Sequence, residues 1–202
     1  MTLAPERNAA QHEATAAWSR RVRRVGGFIQ VAFAAFWLVR GGLAVGGGIG
    51  AGLAAAFVIV VAVVVVYAIR VTAGVASRPT GREATRIERA ITVATIIQLV
   101  ASFAVPALVI ANGHSEWALP SIAITIGPLL LWLDHRVHIP RYRPVGWTLI
   151  VGPLILAAVL SGTALAATTG ISAGVLLLGT AAAGFHDLAV INRAKSRARG
   201  AM

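Results

Sequence analysis

Six long apolar runs alternate with short polar connections along this chain, at about 26–45, 51–69, 88–111, 117–133, 145–167 and 171–191. Each is close to the roughly 20 residues that cross a bilayer as a helix. The second run is the most apolar, and Val58 to Val66 is almost entirely β-branched. In water that would argue for a strand. In lipid the backbone must satisfy its own hydrogen bonds within the segment, so the pattern predicts a helix.

The connections carry their own punctuation. Ala14–Val25 predicts a short basic amphipathic helix at the membrane surface, with Trp18, Val22 and Val25 on one face. A secretory signal peptide is the rival for this region, and the long polar leader and the further spans argue against it. The glycine-rich stretch Gly41–Gly52 predicts close approach of two adjacent helices. Thr80-Gly81-Arg82-Glu83 fits a capping box that starts the third helix near Gly81. Asn112-Gly113 reads as its C-terminal stop, and Ser115 as the cap of the fourth helix. Thr168-Thr169-Gly170 reads as a very short turn between the fifth and sixth spans.

The segment from Pro120 to Leu156 organises this pattern. Two apolar runs, containing Gly127-Pro128-Leu129-Leu130 and Gly152-Pro153-Leu154-Ile155, flank the polar loop Asp134–Pro144. This is the signature of a transmembrane helical hairpin. Pro128 and Pro153 should sit at similar depth in the inner half of the membrane, each freeing a carbonyl and bending its helix. Pro106 should kink the outer part of the third span. The ordinary reading is that prolines are tolerated in such helices; the sharper one is that paired kinks open a cavity.

Composition agrees with a lipid environment. The 202-residue chain is 57% hydrophobic and 12% charged, too few charges to cover a water-facing surface. Cysteine is absent, which excludes disulfides, thiolate metal sites and cysteine nucleophiles. The net charge of +11 raises nucleic acid as a partner, but the basic residues sit in small groups between the apolar runs. That pattern orients a membrane protein and meets anionic headgroups at the cytoplasmic face. With an N-terminus in the cytoplasm, seventeen of the 18 basic residues fall on the cytoplasmic side and only Arg40 falls outside. Trp18, Tyr67, Trp132, Tyr142 and Trp147 then mark the inner interface, and Trp37 and Trp117 the outer one. Lys195 is the only lysine, and the abundance of Ala, Gly, Val and Arg points to a GC-rich bacterial genome.

The expected fold is therefore all-α: a polytopic integral protein of the cell (inner) membrane, six transmembrane helices in three hairpins, both termini cytoplasmic. Residues 1–24 form a polar basic leader, 25–192 the transmembrane domain and 193–202 a basic tail. An inverted three-plus-three repeat is topologically allowed, but the two halves do not align.

Candidate chemistry gathers at the inner face. Asp134, His135 and His138 end the fourth helix, and His186 and Asp187 lie inside the sixth apolar run. Imidazoles beside carboxylates can relay protons, sense pH or hold a divalent metal. No established ligand spacing is present, so neither a metal nor another cofactor is expected. The bland reading pairs both aspartates with arginines. Asp187 stands out because ionisable groups within a span are costly; an ion pair with Arg136 or Arg193 would offset that cost. Arg141, Tyr142 and Arg143 could hold an anionic headgroup or phosphate. Gln30 and Gln98 are expected to bond between helices. Arg40 is expected to snorkel, or to pair with Glu116.

Three functions fit. The first is a small transporter or channel-like protein with Asp187 at its inner mouth. The second is an accessory subunit packing against another membrane protein or a second copy. The third is a membrane-embedded enzyme acting on lipid or isoprenoid substrates, which lacks the paired acidic motifs that hold magnesium against a diphosphate.

Overall fold

The structure is a computed structural model. It describes the backbone of residues 3–73, 82–137 and 139–200, and the side chains of 20–73, 85–136 and 139–194 except 22, 86, 87 and 90. Among the described residues all regular structure is helical: α1 (Leu3–Val45), α2 (Gly47–Thr72), α3 (Arg82–Ala111), a 3-10 turn (Ser115–Trp117), α4 (Ala118–Val137), α5 (Tyr142–Val159) and α6 (Gly162–Gly200). Six segments are long and apolar enough to cross a membrane: Arg23–Val45, Gly47–Thr72, Ile91–Ala111, Ser115–Arg136, Tyr142–Val159 and Gly162–Ala194. The chain is a multi-pass membrane protein.

Helix α6 is the centre of the bundle. It packs most extensively against α1 and also touches α2, α4 and α5. The seam between α1 and α6 is set by glycines. A Cβ on Gly170 would lie 2.6 Å from Gly41 Cα, one on Gly174 would lie 2.6 Å from Leu38 Cγ, and one on Gly27 would lie 2.7 Å from Phe185 Cζ. These three contacts run in opposite directions along the two helices, so α1 and α6 are antiparallel. Gly27, Ala34 and Gly41 repeat every seven residues along the buried face of α1, the spacing of a close helix seam. Apolar burial offers no drive between helices in lipid, so van der Waals contact through small residues takes its place. A second small-residue seam joins α4 to α5, where Gly127 faces Gly146. Helix α3 packs chiefly along α4 and the 3-10 turn; its outer face, like that of α2, exposes large apolar side chains such as Ile97, Phe103 and Val63.

Several boundaries differ from the sequence expectation. The interfacial helix and the first span form one continuous helix. The glycine-rich stretch works as a turn and as a contact: Gly46 and Gly47 take φ of 83° and 58°, while Gly42 and Gly50 let α1 and α2 touch backbone to backbone. Gly113, at φ 83°, stops α3 as expected. Ser115 does not cap α4; it opens the 3-10 turn, with no side-chain cap at its start. Thr80 and Gly81 lie outside the described residues.

The largest correction concerns the last two spans. Thr168-Thr169-Gly170 is not a turn. Helix α5 ends at Val159, the chain turns at Leu160–Ser161 into Gly162 at φ 55°, and the threonines lie within α6. Gly170 is there for close approach to Gly41, not for chain reversal. The prolines also separate. Gly127 lies against Gly146 and Ile150, which puts Pro128 level with about Trp147. Pro153 is then roughly 9 Å further along α5 at 1.5 Å per residue. Pro128 is exposed and Pro153 buried. Trp37 is not a belt residue either. It is fully buried in the α1–α6 core because it shares the face of α1 that carries Ala34 and Gly41. Tyr142 is likewise buried.

If the seam is as tight as the glycines imply, Gly170→Ala overpacks it and destabilises the protein by about 1–3 kcal/mol. Gly179→Ala on the same helix, where a Cβ meets nothing within 4 Å, should be neutral or mildly stabilising. Thermal melts of both variants in one detergent test this; equal melting temperatures would contradict it.

Candidate functional site

The sequence places an acid near the end of the sixth apolar run, and the fold brings it two bases from elsewhere. Asp187 on α6 accepts from Arg141 at both oxygens, Nη2 to Oδ1 at 3.0 Å and Nη1 to Oδ2 at 2.9 Å. Arg23 of α1 donates from Nη1 to Oδ2 at 3.3 Å. Arg141, in the loop just before α5, thus makes a bidentate fork, the strong geometry for guanidinium and carboxylate. Arg23 reaches Asp187 because it lies four residues before Gly27 on the α1 face that meets α6. The three side chains are one quarter to one half exposed, 24% for Arg23, 32% for Asp187 and 46% for Arg141. The described contacts to Asp187 thus come from Arg23 and Arg141, where the sequence suggested Arg136 or Arg193.

This trio sits at the mouth of a cavity of about 260 Å³ between α1, the start of α5 and α6. Gly27 and Gly184 leave the room, Thr180 adds a hydroxyl, and Gln30 closes the inner end. Two positive groups face one negative group, so the chamber is formally cationic.

A second cavity, about 310 Å³, lies between α1, α3 and α4. Its walls are apolar, built by Ile29 and Phe33 of α1, Ile91 and Leu99 of α3, and Leu129 and Leu133 of α4. Arg21 and Glu88 stand at one end. Gln30 and Tyr142 line both cavities and form the partition between them.

Gln30 is 7% exposed, and its Nε2 has no hydrogen-bond partner. A buried unpaired donor costs about 1–3 kcal/mol, and no described residue offsets that cost at Gln30. Gln98, also expected to bond between helices, does so: its Nε2 donates to Ser102 Oγ at 2.9 Å on its own helix and to Thr125 Oγ1 of α4 at 3.3 Å. Trp37 Nε1 and Thr169 Oγ1 are the other buried unpartnered side-chain atoms among the described residues. Thr169 lines a third, more open groove of about 560 Å³ between α5 and α6.

Four of the five inner-face candidates lie among the described residues. His186 is exposed and turns to α2, where the Tyr67 hydroxyl lies 3.5 Å from its Nδ1. Asp134 is half-buried and His135 exposed at the end of α4. His138 lies outside the described residues. Among the described residues no three His, Asp or Glu side chains are grouped to hold a metal ion. The Arg141-Tyr142-Arg143 element divides as well: Arg141 turns to Asp187, Tyr142 into the core, and Arg143 outward. Glu116 pairs with His114, Nδ1 to Oε1 at 3.6 Å, and Arg40 is exposed. Sequence reasoning missed Arg23 and undervalued Gln30. Both carry a usable signal, since each lies on the small-residue face of α1 with Gly27, Ala34 and Gly41.

No family model matches this chain, and no curated protein or solved structure is significantly similar to it.

A double-mutant cycle with Arg141→Gln and Asp187→Asn should give a coupling of about 0.5–1 kcal/mol, as partly exposed pairs do. The coupling should fall when salt is raised to 1 M, where screening is short-ranged. Unfolding in detergent at two salt concentrations measures it. Zero coupling at low salt would mean that the fork contributes nothing.

Proposed function

We propose that this multi-pass membrane protein is a small transporter whose solute path opens at the Arg23–Asp187–Arg141 chamber. The observation that carries the reading is the cavity that runs from this ion trio to the unpartnered amide of Gln30. A protein whose charges served orientation alone would have no need of a cavity behind them. The formal charge of the chamber favours an anionic solute. An arriving anion competes with Asp187 for the two guanidiniums, and release of Asp187 is the step that frees the path. Such partner exchange is open to partly exposed charges, because an arriving acid replaces the charged hydrogen bonds that Asp187 gives up.

We read the chamber as cytoplasmic, with both termini on that side of a bacterial inner membrane, because the basic residues are concentrated at that end. The chain has no cysteine, so single probes are clean. Ser19→Cys and Ser196→Cys should both react with a membrane-impermeant maleimide only when the cytoplasmic side is open. Labelling of the two from opposite sides would defeat the topology.

Function is tested in liposomes by currents evoked by jumps in carboxylates from acetate to dodecanoate. Wild type should respond above empty liposomes. Asp187→Asn should lower the signal at least about tenfold, equivalent to roughly 1.4 kcal/mol, while expression and the size-exclusion profile persist. Undiminished flux in Asp187→Asn, or no flux in wild type, would remove the transporter reading.

A further inference from the structure

The two cavities that meet at Gln30 differ in character, and that difference specifies a ligand. One is a cationic chamber at the inner end. The other is an apolar cleft of about 310 Å³, within the size of sites that enclose small ligands. We infer that together they form one bipartite site for a single-chain amphiphilic anion, an acidic group on one alkyl chain. Its acid would lie between Arg23 and Arg141, and its chain would pass Gln30 and Tyr142 into the cleft between α1, α3 and α4. This inference rests on the transporter reading for its role, but the binding it asserts does not require transport.

Three independent features support it. The trio at the chamber has two guanidiniums and one carboxylate, so it can accept one further negative charge. The junction holds a donor, Gln30 Nε2, that is more than nine-tenths buried and has no partner among the described residues. An oxygen of a passing acid or ester is what such an amide lacks. The two cavities together also have the right length. From Arg23 in the chamber to Phe33 in the cleft is roughly 15 Å along α1, which suits a medium alkyl chain. Its α3 wall includes Leu99, a residue exposed on a bilayer-facing helix, so a chain can enter from the membrane side. Arg21 and Glu88, at the end of the cleft, are of opposite sign and do not by themselves attract an anion.

The test is binding of radiolabelled dodecanoate to the full chain in phosphatidylcholine nanodiscs, counted above empty nanodiscs. Binding should be saturable. Dodecyl phosphate should compete as well as dodecanoate, which would assign recognition to the shared acid whether it comes as a free carboxylate or as a phosphate head. Dodecyltrimethylammonium and dodecanol should compete at least about tenfold less well. Arg141→Gln should weaken dodecanoate about tenfold by removing a charged hydrogen-bond donor. Thr95→Phe, which fills the cleft from an exposed position on α3, should weaken it by a similar factor. Asp187→Asn, which lowers flux on the transporter reading, should retain or tighten binding, because it removes the competing carboxylate. On wild type alone, affinity should climb steeply from butyrate to dodecanoate, so the cleft is tested even if a variant fails to fold.

Absence of saturable binding, equal competition by dodecanol, or no dependence on chain length would overturn the site. Binding without flux would leave the site standing and remove the transporter. Flux lost in Asp187→Asn but with no chain-length dependence would do the reverse.

Discussion

Close contact between α1 and α6 is the constraint from which the rest of the arrangement follows. In a bilayer two apolar helices gain nothing by leaving lipid for each other, so a stable seam must come from fit. Gly41 against Gly170, Leu38 against Gly174 and Phe185 against Gly27 provide that fit at three levels. The seam fixes the rotation of α1. One face is committed to α6, the adjoining one to α2 through Gly42 and Gly50, and the face toward α3 and α4 is left without close backbone contact. The apolar cleft is the space that remains there.

The same rotation determines where the polar groups of α1 go. Arg23, Gly27 and Gln30 succeed one another at spacings of four and three, so the alignment that buries Gly27 against Phe185 also carries Arg23 to Asp187 and Gln30 to the partition. Asp187 has no base beside it in sequence. Its partners come from α1 and from the loop before α5, 164 and 46 residues away. A second tie at this end, Asn192 Nδ2 to the Val71 carbonyl at 3.2 Å, fastens α6 to the close of α2. These contacts explain how a carboxylate can be kept within a spanning helix. Its charge is matched by two donors at the edge of the apolar zone, where the penalty for burying it is modest. Gln30 is the contrasting case. It lies about two turns deeper, and no described residue partners its Nε2.

Lipid solvation explains how much could be read from residue order. A backbone in hydrocarbon must satisfy its own hydrogen bonds, so helix type and number follow from apolar run length, and six spans were legible. Stops that depend on local backbone freedom were legible too, as at Gly113. What misled was any residue whose meaning depends on a neighbour from another helix. Gly170 after two threonines has the composition of a turn, yet it is a contact glycine, and the true turn at Gly162 sits inside what reads as a continuous apolar run. Trp37 has the position of a belt residue but lies in the core. His186 and Asp187 are adjacent in sequence, yet one meets Tyr67 of α2 and the other Arg23 and Arg141, because direction around a helix does not follow from hydropathy.

Apolar run length and the scarcity of charge by themselves made this chain a six-helix membrane protein, since continuous apolar runs of about 20 residues satisfy their own backbone in lipid as helices. Which glycines turn and which touch, which arginines hold Asp187, and why Gln30 stands between a charged chamber and an apolar cleft were decided only in three dimensions. The physical reason is that packing between helices depends on their mutual rotation and register, and in lipid those are set by contacts of a few ångströms between distant residues, not by the hydropathy of any one segment.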